Sequence, residues 1–392
     1  MRSHFAFRSV GQGLFYTGSL NEGEYNFVYD CGTESSQDYI EREISEFVSD
    51  IPKQSCCNKK KNVDFVVISH LHKDHFSGLV SLMDHPDVHV KKIFLPYLGE
   101  KETNLNLKRL IIAYAVSFNE NGNVIYDVNN YTLYNRLITL YEQHGYETTG
   151  TEAVFLGGRV RDIVNSDSPS FTYSMAINPE EIITSQEVKS FWEFAFFNRR
   201  MNDRELEKWE KKVPELENDK IMKWLKSSEG IARIKDAYEE VFGKGNKLNL
   251  SSTILAHNPN ETQNSFHIYE KCNRHPCYCR YYDNESDDNI ATVLTGDAEF
   301  DDKMLMLLDT ELKGKHFGIL QVPHHGSKSN WKFLKNMRSS FDCYVIPFGL
   351  GNTYSHPHPT VIYDMVHNEK MPYCASQIQA VRYMIEITTD TE

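Results

Sequence analysis

The sequence contains no long apolar run. No stretch approaches the roughly 20 apolar residues that a helix needs to cross a bilayer. The opening residues, MRSHFAFRSVGQG, hold no continuous apolar segment of the kind found in a cleaved leader. A cytoplasmic location is therefore expected. Cysteine is sparse, eight in 392 residues, which excludes a disulfide-built scaffold and fits a reducing compartment. Basic charge is in deficit: 42 Lys and Arg stand against 55 Asp and Glu, a net charge of -13. Such a chain repels a phosphate backbone at long range, so broad non-specific coating of nucleic acid is excluded. A local cation site could still attract a phosphate. There is no repeat of fixed period and no low-complexity tract.

What is present is enough apolar residue, 40%, for a large core. Length alone fits two or three domains, but strand and helix signals alternate on both sides of a charged middle stretch. Residues 1–32 read as strands joined by a tight turn at Gly11 and Gly13. Residues 35–48 read as a helix, with Tyr39, Ile40, Ile44 and Phe47 at helical spacing. Residues 63–69 form a buried strand, followed by a His-rich loop, a helix and the strand VKKIFLPYL. The alternation resumes at LSSTILAHNP and continues through ATVLTGD, FGILQVP and CYVIPFG. This indicates an α/β layered fold.

The chain is thus expected to be one domain, residues 1–392, carrying an inserted helical subdomain at 182–247. That segment is highly charged, and SFWEFAFFNRRMNDRELEKWEKKV reads as helical. Phe191, Trp192, Phe194, Phe196 and Phe197 are expected to pack the insertion's own core rather than to stack bases. Trp192, Phe196 and Trp224 are candidates for its buried face. The insertion could be a surface decoration, a lid or a partner-docking arm.

Several strands end in a metal-ligand or polar residue: Asp30, the loop His70–His75, Asp297, and the pair His324 and His325. A fifth position, His356, follows the last of them. Strand ends on one side of a sheet converge in space. Imidazole and carboxylate together suit zinc, and also manganese or iron. His70, His72, Asp74 and His75 are too closely spaced for one ion to use comfortably. They suit two: His70 and His72 on one, Asp74 and His75 on the other, with Asp297 bridging. Two ions roughly 3.5–4 Å apart can stabilise both attacking and leaving oxygens. In an extended segment the adjacent His324 and His325 would point to opposite faces. One would then bind metal and the other orient substrate. Gly326 and Ser327 are expected at a helix start, where backbone N–H groups could receive a phosphate or Ser327 could simply cap the helix. Cys272, His275, Cys277 and Cys279 are zinc-ligand types in one short loop. They form either a second, structural zinc site or an exposed hairpin with free thiols.

The segment SHLHKDHFSG carries the HxHxDH pattern and resembles the metallo-β-lactamase fold superfamily. With SVGQG, VYDCG, NLSSTIL, LTGDAE, VPHHGS and NTYSHPHP it resembles, in order, the soluble metallo-hydrolase domain of ComEC-like competence proteins. It is also similar to the related bacterial choline-phosphate esterases. The resemblance spans about residues 9–96 and 249–360 and leaves out the charged middle. It implies a four-layer αββα sandwich with one or two Zn²⁺ ions (or Mn²⁺), held by His70, His72, Asp74, His75, Asp297, His324 and His325. It implies a hydrolase, most simply a phosphodiesterase or nuclease in which a metal-bound hydroxide attacks phosphorus. Asp74 and His356 would be catalytic, and Ser327, Asn352 and Tyr354 would contact substrate. A role as effector in bacterial defence, with a partner protein on the helical insertion, follows from the same likeness. The sequence departs from the pattern in three ways. A further histidine before the bridging aspartate is not evident. Ser355 stands where the family has glycine. The membrane channel of ComEC is absent, so DNA uptake does not carry over. Two other functions remain open: a hydrolase of small esters or lactones, and a non-catalytic, metal-stabilised interaction module.

Overall fold

The computed structural model describes residues 2–52, 60–96, 128–142, 152–155, 170–177, 192–198, 252–259, 264–271, 278–286, 289–299, 315–331, 341–370 and 372–387, with separate positions between 211 and 236 and between 305 and 308. Strands β1 (Arg2–Phe7), β2 (Phe15–Leu20) and β3 (Tyr25–Cys31) form an antiparallel meander. Their residues alternate between two faces, as a pleated strand requires. Phe5, Phe7, Tyr16, Phe27 and Tyr29 enter the same apolar cluster.

Helix α1 (Gln37–Asp50) starts where Ser36 accepts the Asp38 N–H, and it buries Ile40, Ile44, Phe47 and Val48. Their spacing of three and four residues places them on one stripe. Strand β4 (Lys61–Val67) lies between β3 and β5 (Val88–Leu95), parallel to both. A strand buried on both faces needs a continuous apolar run, and Phe65–Ile68 supplies it with no exposed surface. Short helices α2 (Lys73–Phe76) and α3 (Leu79–Met83) connect β4 to β5.

The first sheet has nine strands in the order β11-β10-β16-β1-β2-β3-β4-β5-β6. Its remaining members are β6 (Glu152–Phe155), β10 (Asn264–Lys271), β11 (Tyr278–Ser286) and β16 (Val381–Ile387). The second has seven, β15-β14-β13-β12-β9-β8-β7. These are β7 (Ser170–Ile177), β8 (Trp192–Asn198), β9 (Ile254–Pro259), β12 (Asn289–Leu294), β13 (Lys315–Gln321), β14 (Phe341–Pro347) and β15 (Pro372–Ala375). Both sheets mix parallel and antiparallel pairs. Aromatic residues of the first sheet face Trp192, Phe194, Phe196, Leu255 and Ile319 of the second. Each large side chain so buried contributes about 1.5–3 kcal/mol. The second sheet's other face carries Phe197, Ala256, Val293 and Leu320, covered by Val361 and Met365 of helix α5 (Pro359–His367). Helix α4 (Val128–Glu142) precedes β6. The layers are therefore αββα, the expected α/β sandwich.

The expectation of a helical subdomain beginning near residue 182 is corrected at Trp192–Asn198. These residues form β8, paired with both β7 and β9. Trp192, Phe194 and Phe196 point into the inter-sheet core, while Ala195 and Phe197 point to the other face. The period is two, not 3.6. The aromatic run packs the sandwich itself, so Trp192 and Phe196 are not the insertion's buried face. Phe191 and most of the remainder of 182–247 lie outside the described residues. Helix is recorded at separate positions such as Lys223 and Trp224, and Trp224 is half-buried. Cys272, His275 and Cys277 also lie outside the described residues, as does the side chain of Cys279 in β11.

A polar chain crosses the inter-sheet core. Thr292 Oγ1 and Tyr383 OH are 2.8 Å apart, Tyr383 OH and Tyr16 OH 2.5 Å, and Tyr16 OH and His257 Nε2 2.8 Å. The His257 ring lies 5.2 Å from Phe5 and from Phe27, and 5.9 Å from Trp192. Burial pushes its pKa from 6.5 down to about 3, so the folded state refuses a proton that the unfolded chain accepts. The linkage sign follows: stability falls as pH drops below 6.5 and keeps falling towards about 3. Between neutrality and about pH 4.5 this group should cost about 2–3 kcal/mol. Urea unfolding at both pH values should show a smaller acid loss for His257→Phe than for the wild type. An equal loss in both would show that the buried imidazole is not the source.

Candidate metal centre

The C-terminal ends of β3, β4, β12, β13 and β14 deliver the sequence-nominated residues to one place. His70 and Asp74, His75, Asp297, His324 and His325 are almost wholly buried, and His72 is half-buried. Two compact groups of donor atoms result: Asp74, His75, Asp297 and His325, and His70, His72 and Asp297. Asp297 belongs to both. Its Oδ1 lies 3.1 Å from His75 Nε2, and its Oδ2 lies 3.5 Å from the Nε2 atoms of both His70 and His324. His75 Nε2 is 3.6 Å and His325 Nε2 2.8 Å from Asp74 Oδ2. Donors around a tetrahedral zinc at its usual bond lengths stand roughly 3.3 Å apart. The spacing fits an ion in each group.

The hydrogen bonds fix which imidazole nitrogen faces inward. His75 Nδ1 donates to Asp30 Oδ2 at 2.7 Å, and His325 Nδ1 donates to the Pro347 carbonyl at 2.9 Å. Ser69 Oγ donates to Asp30 at 2.6 Å, so it accepts from His70 Nδ1 at 3.0 Å. Each Nε2 is then a lone-pair nitrogen, unless a second proton sits there. A lone pair facing a carboxylate out of water demands a cation between them. His70 Nε2 has no hydrogen-bond partner, as expected of a metal donor.

Electrostatics follow the same logic. Burial opposes charge on His75, but Asp297, Asp74 and Asp30 outweigh it and hold the imidazole well above its ordinary pKa. Burial raises Asp74 and Asp297, yet the surrounding imidazoles bring both below the usual carboxylate range. Burial pushes His70 well below its ordinary value.

Backbone packing holds the loop carrying His70–His75. The Leu14 N–H donates to the Asp74 carbonyl at 2.9 Å. A Cβ at Gly32 would sit 2.5 Å from the backbone of Asp74, His75 and Phe76, which is why this approach needs glycine. Gln321 clamps the loop before Asp297: its Oε1 accepts the N–H groups of Thr295 and Gly296, each at 2.8 Å.

His324 and His325 are not extended. Both are left-handed, with φ of 48° and 54°, inside a short 3-10 turn, Pro323–Gly326. The turn brings both rings to the centre instead of sending them to opposite faces. Left-handed backbone costs a non-glycine residue about 1–2 kcal/mol. The side-chain bonds of both histidines help offset it. Ser327 follows this turn rather than opening a recorded helix. Its Oγ lies 2.8 Å from Ser329 Oγ, and its carbonyl accepts the N–H of Asn330 and of Trp331.

The loop after β14 brings His356 beside the pair, ring centres 5.2 Å from His324 and 6.3 Å from His325. Burial and then those two imidazoles lower its pKa to about 4. Ser355, where the motif resemblance leads one to expect glycine, adopts φ 60°, the left-handed conformation that glycine favours. Asn352 shapes the loop by accepting from the N–H groups of Tyr354 and His356, both at 3.1 Å. Tyr354 OH donates to Glu34 at 2.6 Å. Sequence reasoning assigned no role to Asp30, Ser69, Asn330 or the Pro347 carbonyl. Asp30 was visible as a strand-end acid. The others carry no spacing signal.

A model of the metallo-beta-lactamase superfamily matches residues 19–93. No curated protein is matched. Among solved structures, a subclass B3 metallo-beta-lactamase from a soil metagenome library, MEM-A1, is similar at 12% identity and TM-score 0.21. The match covers 51% of this chain and 56% of that one, little more than half of either. The matched segment, the αββα sandwich and the buried Asp/His cluster are the features of a metal-dependent hydrolase.

Asp297→Ala should lower bound metal, measured by atomic emission after dialysis; unchanged stoichiometry would show that Asp297 is no donor. Asp30→Asn places an amide donor among three donors, since Asp30 accepts from Ser69 N, Ser69 Oγ and His75 Nδ1. It should destabilise the fold by about 3 kcal/mol, read as a lower urea midpoint.

Proposed function

We propose that the chain is a metal-dependent phosphodiesterase or nuclease. One observation carries the reading: Asp297 turns one oxygen to His75 and the other to His70 and His324. That is the division a bridging carboxylate makes between two ions. His70, His72 and Asp297 would hold one ion, and Asp74, His75, His325 and Asp297 the other. The imidazole-rich donor set favours Zn²⁺, with Mn²⁺ a second fit. Bound there, the metal supplies Lewis acidity towards a phosphoryl oxygen and lowers the pKa of water.

The chain's own groups do the rest. Asp74 Oδ2 and His325 Nε2 face each other at 2.8 Å as donors to one ion, which would leave Asp74 Oδ1 to orient the attacking water. His356, half-buried beside His324 and His325, would contact a phosphoryl or leaving oxygen. Ser327, Asn352 and Tyr354 lie on the adjoining loops as substrate contacts. The net charge of -13 favours a small or single-stranded substrate over long duplex DNA. The likeness to stand-alone ComEC-like domains supports the role of a defence effector acting in the cytoplasm, with a partner protein on the part of 182–247 that follows β8. Among the described residues no helix is long and apolar enough to cross a membrane.

The test is hydrolysis of bis-p-nitrophenyl phosphate, single-stranded and duplex DNA, and a lactone, with Zn²⁺ or Mn²⁺ added. Phosphodiester cleavage that chelator and Asp297→Ala both abolish is expected. Cleavage of the lactone alone would point to a small-ester hydrolase. Bound metal with no activity on any of them would point to an interaction module.

A further inference from the structure

Asn330 touches two members of the centre at once. Its Nδ2 donates to the backbone carbonyl of Asp297 at 2.9 Å, and its Oδ1 lies 2.8 Å from His324 Nδ1. A carbonyl can only accept, so the amide nitrogen must face Asp297 and the amide oxygen must face His324. Ser329 Oγ donates to the same oxygen at 2.8 Å, which supports this orientation. An amide oxygen can only accept, so His324 carries its proton on Nδ1. Its Nε2 is therefore a lone-pair nitrogen, 3.5 Å from Asp297 Oδ2. His70 Nε2 reaches the same oxygen at the same 3.5 Å. The compact group of His70, His72 and Asp297 supplies three donors, and a tetrahedral ion takes four; His324 Nε2 lies outside that compact group and adjoins it through Asp297 Oδ2.

We propose that Asn330 is a positioning residue: it locks the His324 tautomer and ring so that His324 serves the subsite of His70 and His72, while His325 serves the subsite of Asp74 and His75. Both histidines of the pair are then used, one per subsite. The inference rests on the metal-hydrolase reading, but it concerns where the donors point and needs no turnover to be tested. Asn330 is buried, at 8% exposure, and its bonds tie the Asp297 loop to the His324 turn. A purely structural Asn330 would hold those loops together without favouring either subsite.

The experiment is a titration of chelator-stripped, full-length protein with Co²⁺. Visible absorption reports the ligand field, and atomic emission reports stoichiometry. Wild type should take up two ions. Asn330→Leu keeps the volume and removes the acceptor. It should weaken one ion about 10–100-fold, the usual effect of losing the partner that orients a ligating histidine, and leave the other within a few-fold. His324→Ala should lose the same ion with the same spectral change. Asn330→Asp retains an acceptor for Nδ1 and should recover most of the affinity. Should Asn330→Leu fail to fold, judged by melting of the metal-free protein, Asn330→Ala carries the same expectation. Unchanged binding of both ions in the variants, equal weakening of both, or no recovery with Asp would each overturn the proposal. A wild type that binds two ions but cleaves no phosphodiester would sink only the hydrolase reading. A wild type that takes up one ion or none would overturn the proposal itself.

Discussion

Three carboxylates, Asp30, Asp74 and Asp297, lie wholly out of water at the edge where the two sheets meet. Charges so buried are tolerated only if each is paired and hydrogen-bonded. The local structure follows from that demand. Asp30 accepts from Ser69 and His75, Asp74 faces His325, and Asp297 faces His70, His75 and His324. Each of His70, His75, His324 and His325 has its Nδ1 held by a protein acceptor, which leaves Nε2 for the centre. The arrangement has too many inward lone pairs and carboxylate oxygens to be settled without added positive charge, which a metal ion supplies.

That cluster shapes the backbone around it. Asp30, His324 and His325 adopt positive φ although none is glycine. The strain is local and is held by surrounding bonds, including the His324 N–H to the Gly296 carbonyl and the His358 N–H to the Gly326 carbonyl. Gly32 lets β3 touch the loop that carries Asp74 and His75. The pair of sheets is thus the frame, and the candidate centre is built from the strand-end loops they aim at one another. Tyr16, Tyr383, His257 and Thr292 link the sheets internally, so the two halves of the centre are held by a common core.

Particular elements explain where sequence reading succeeded. The run before His70 is uniformly apolar because β4 is buried on both faces, and that pattern survives in one dimension. Helix α1 shows its stripe because only one side is covered. Trp192–Asn198 misled because a run of aromatics beside a charged segment satisfies either period, and only pairing to β7 and β9 selects the strand. The pair His324 and His325 misled for a related reason. An extended dipeptide sends adjacent side chains apart, but a left-handed turn, stabilised by contacts distant in sequence, turns both inward.

The residue types of the centre and their order were legible from the sequence alone, because metal chemistry restricts donors to a few side chains and strand ends place them at intervals that a reader can count. The α/β layering was legible through apolar periodicity, while the four-layer αββα order was expected only from the motif resemblance. Tertiary structure alone decided the rest: that Asp297 divides its oxygens between two groups, that both histidines of the pair face inward, and that Asp30, Ser69, Asn330 and the Pro347 carbonyl orient the imidazoles. Those relations depend on angles and on partners hundreds of residues apart, and a linear chain carries no local signal for a hydrogen bond that forms only after two sheets have packed.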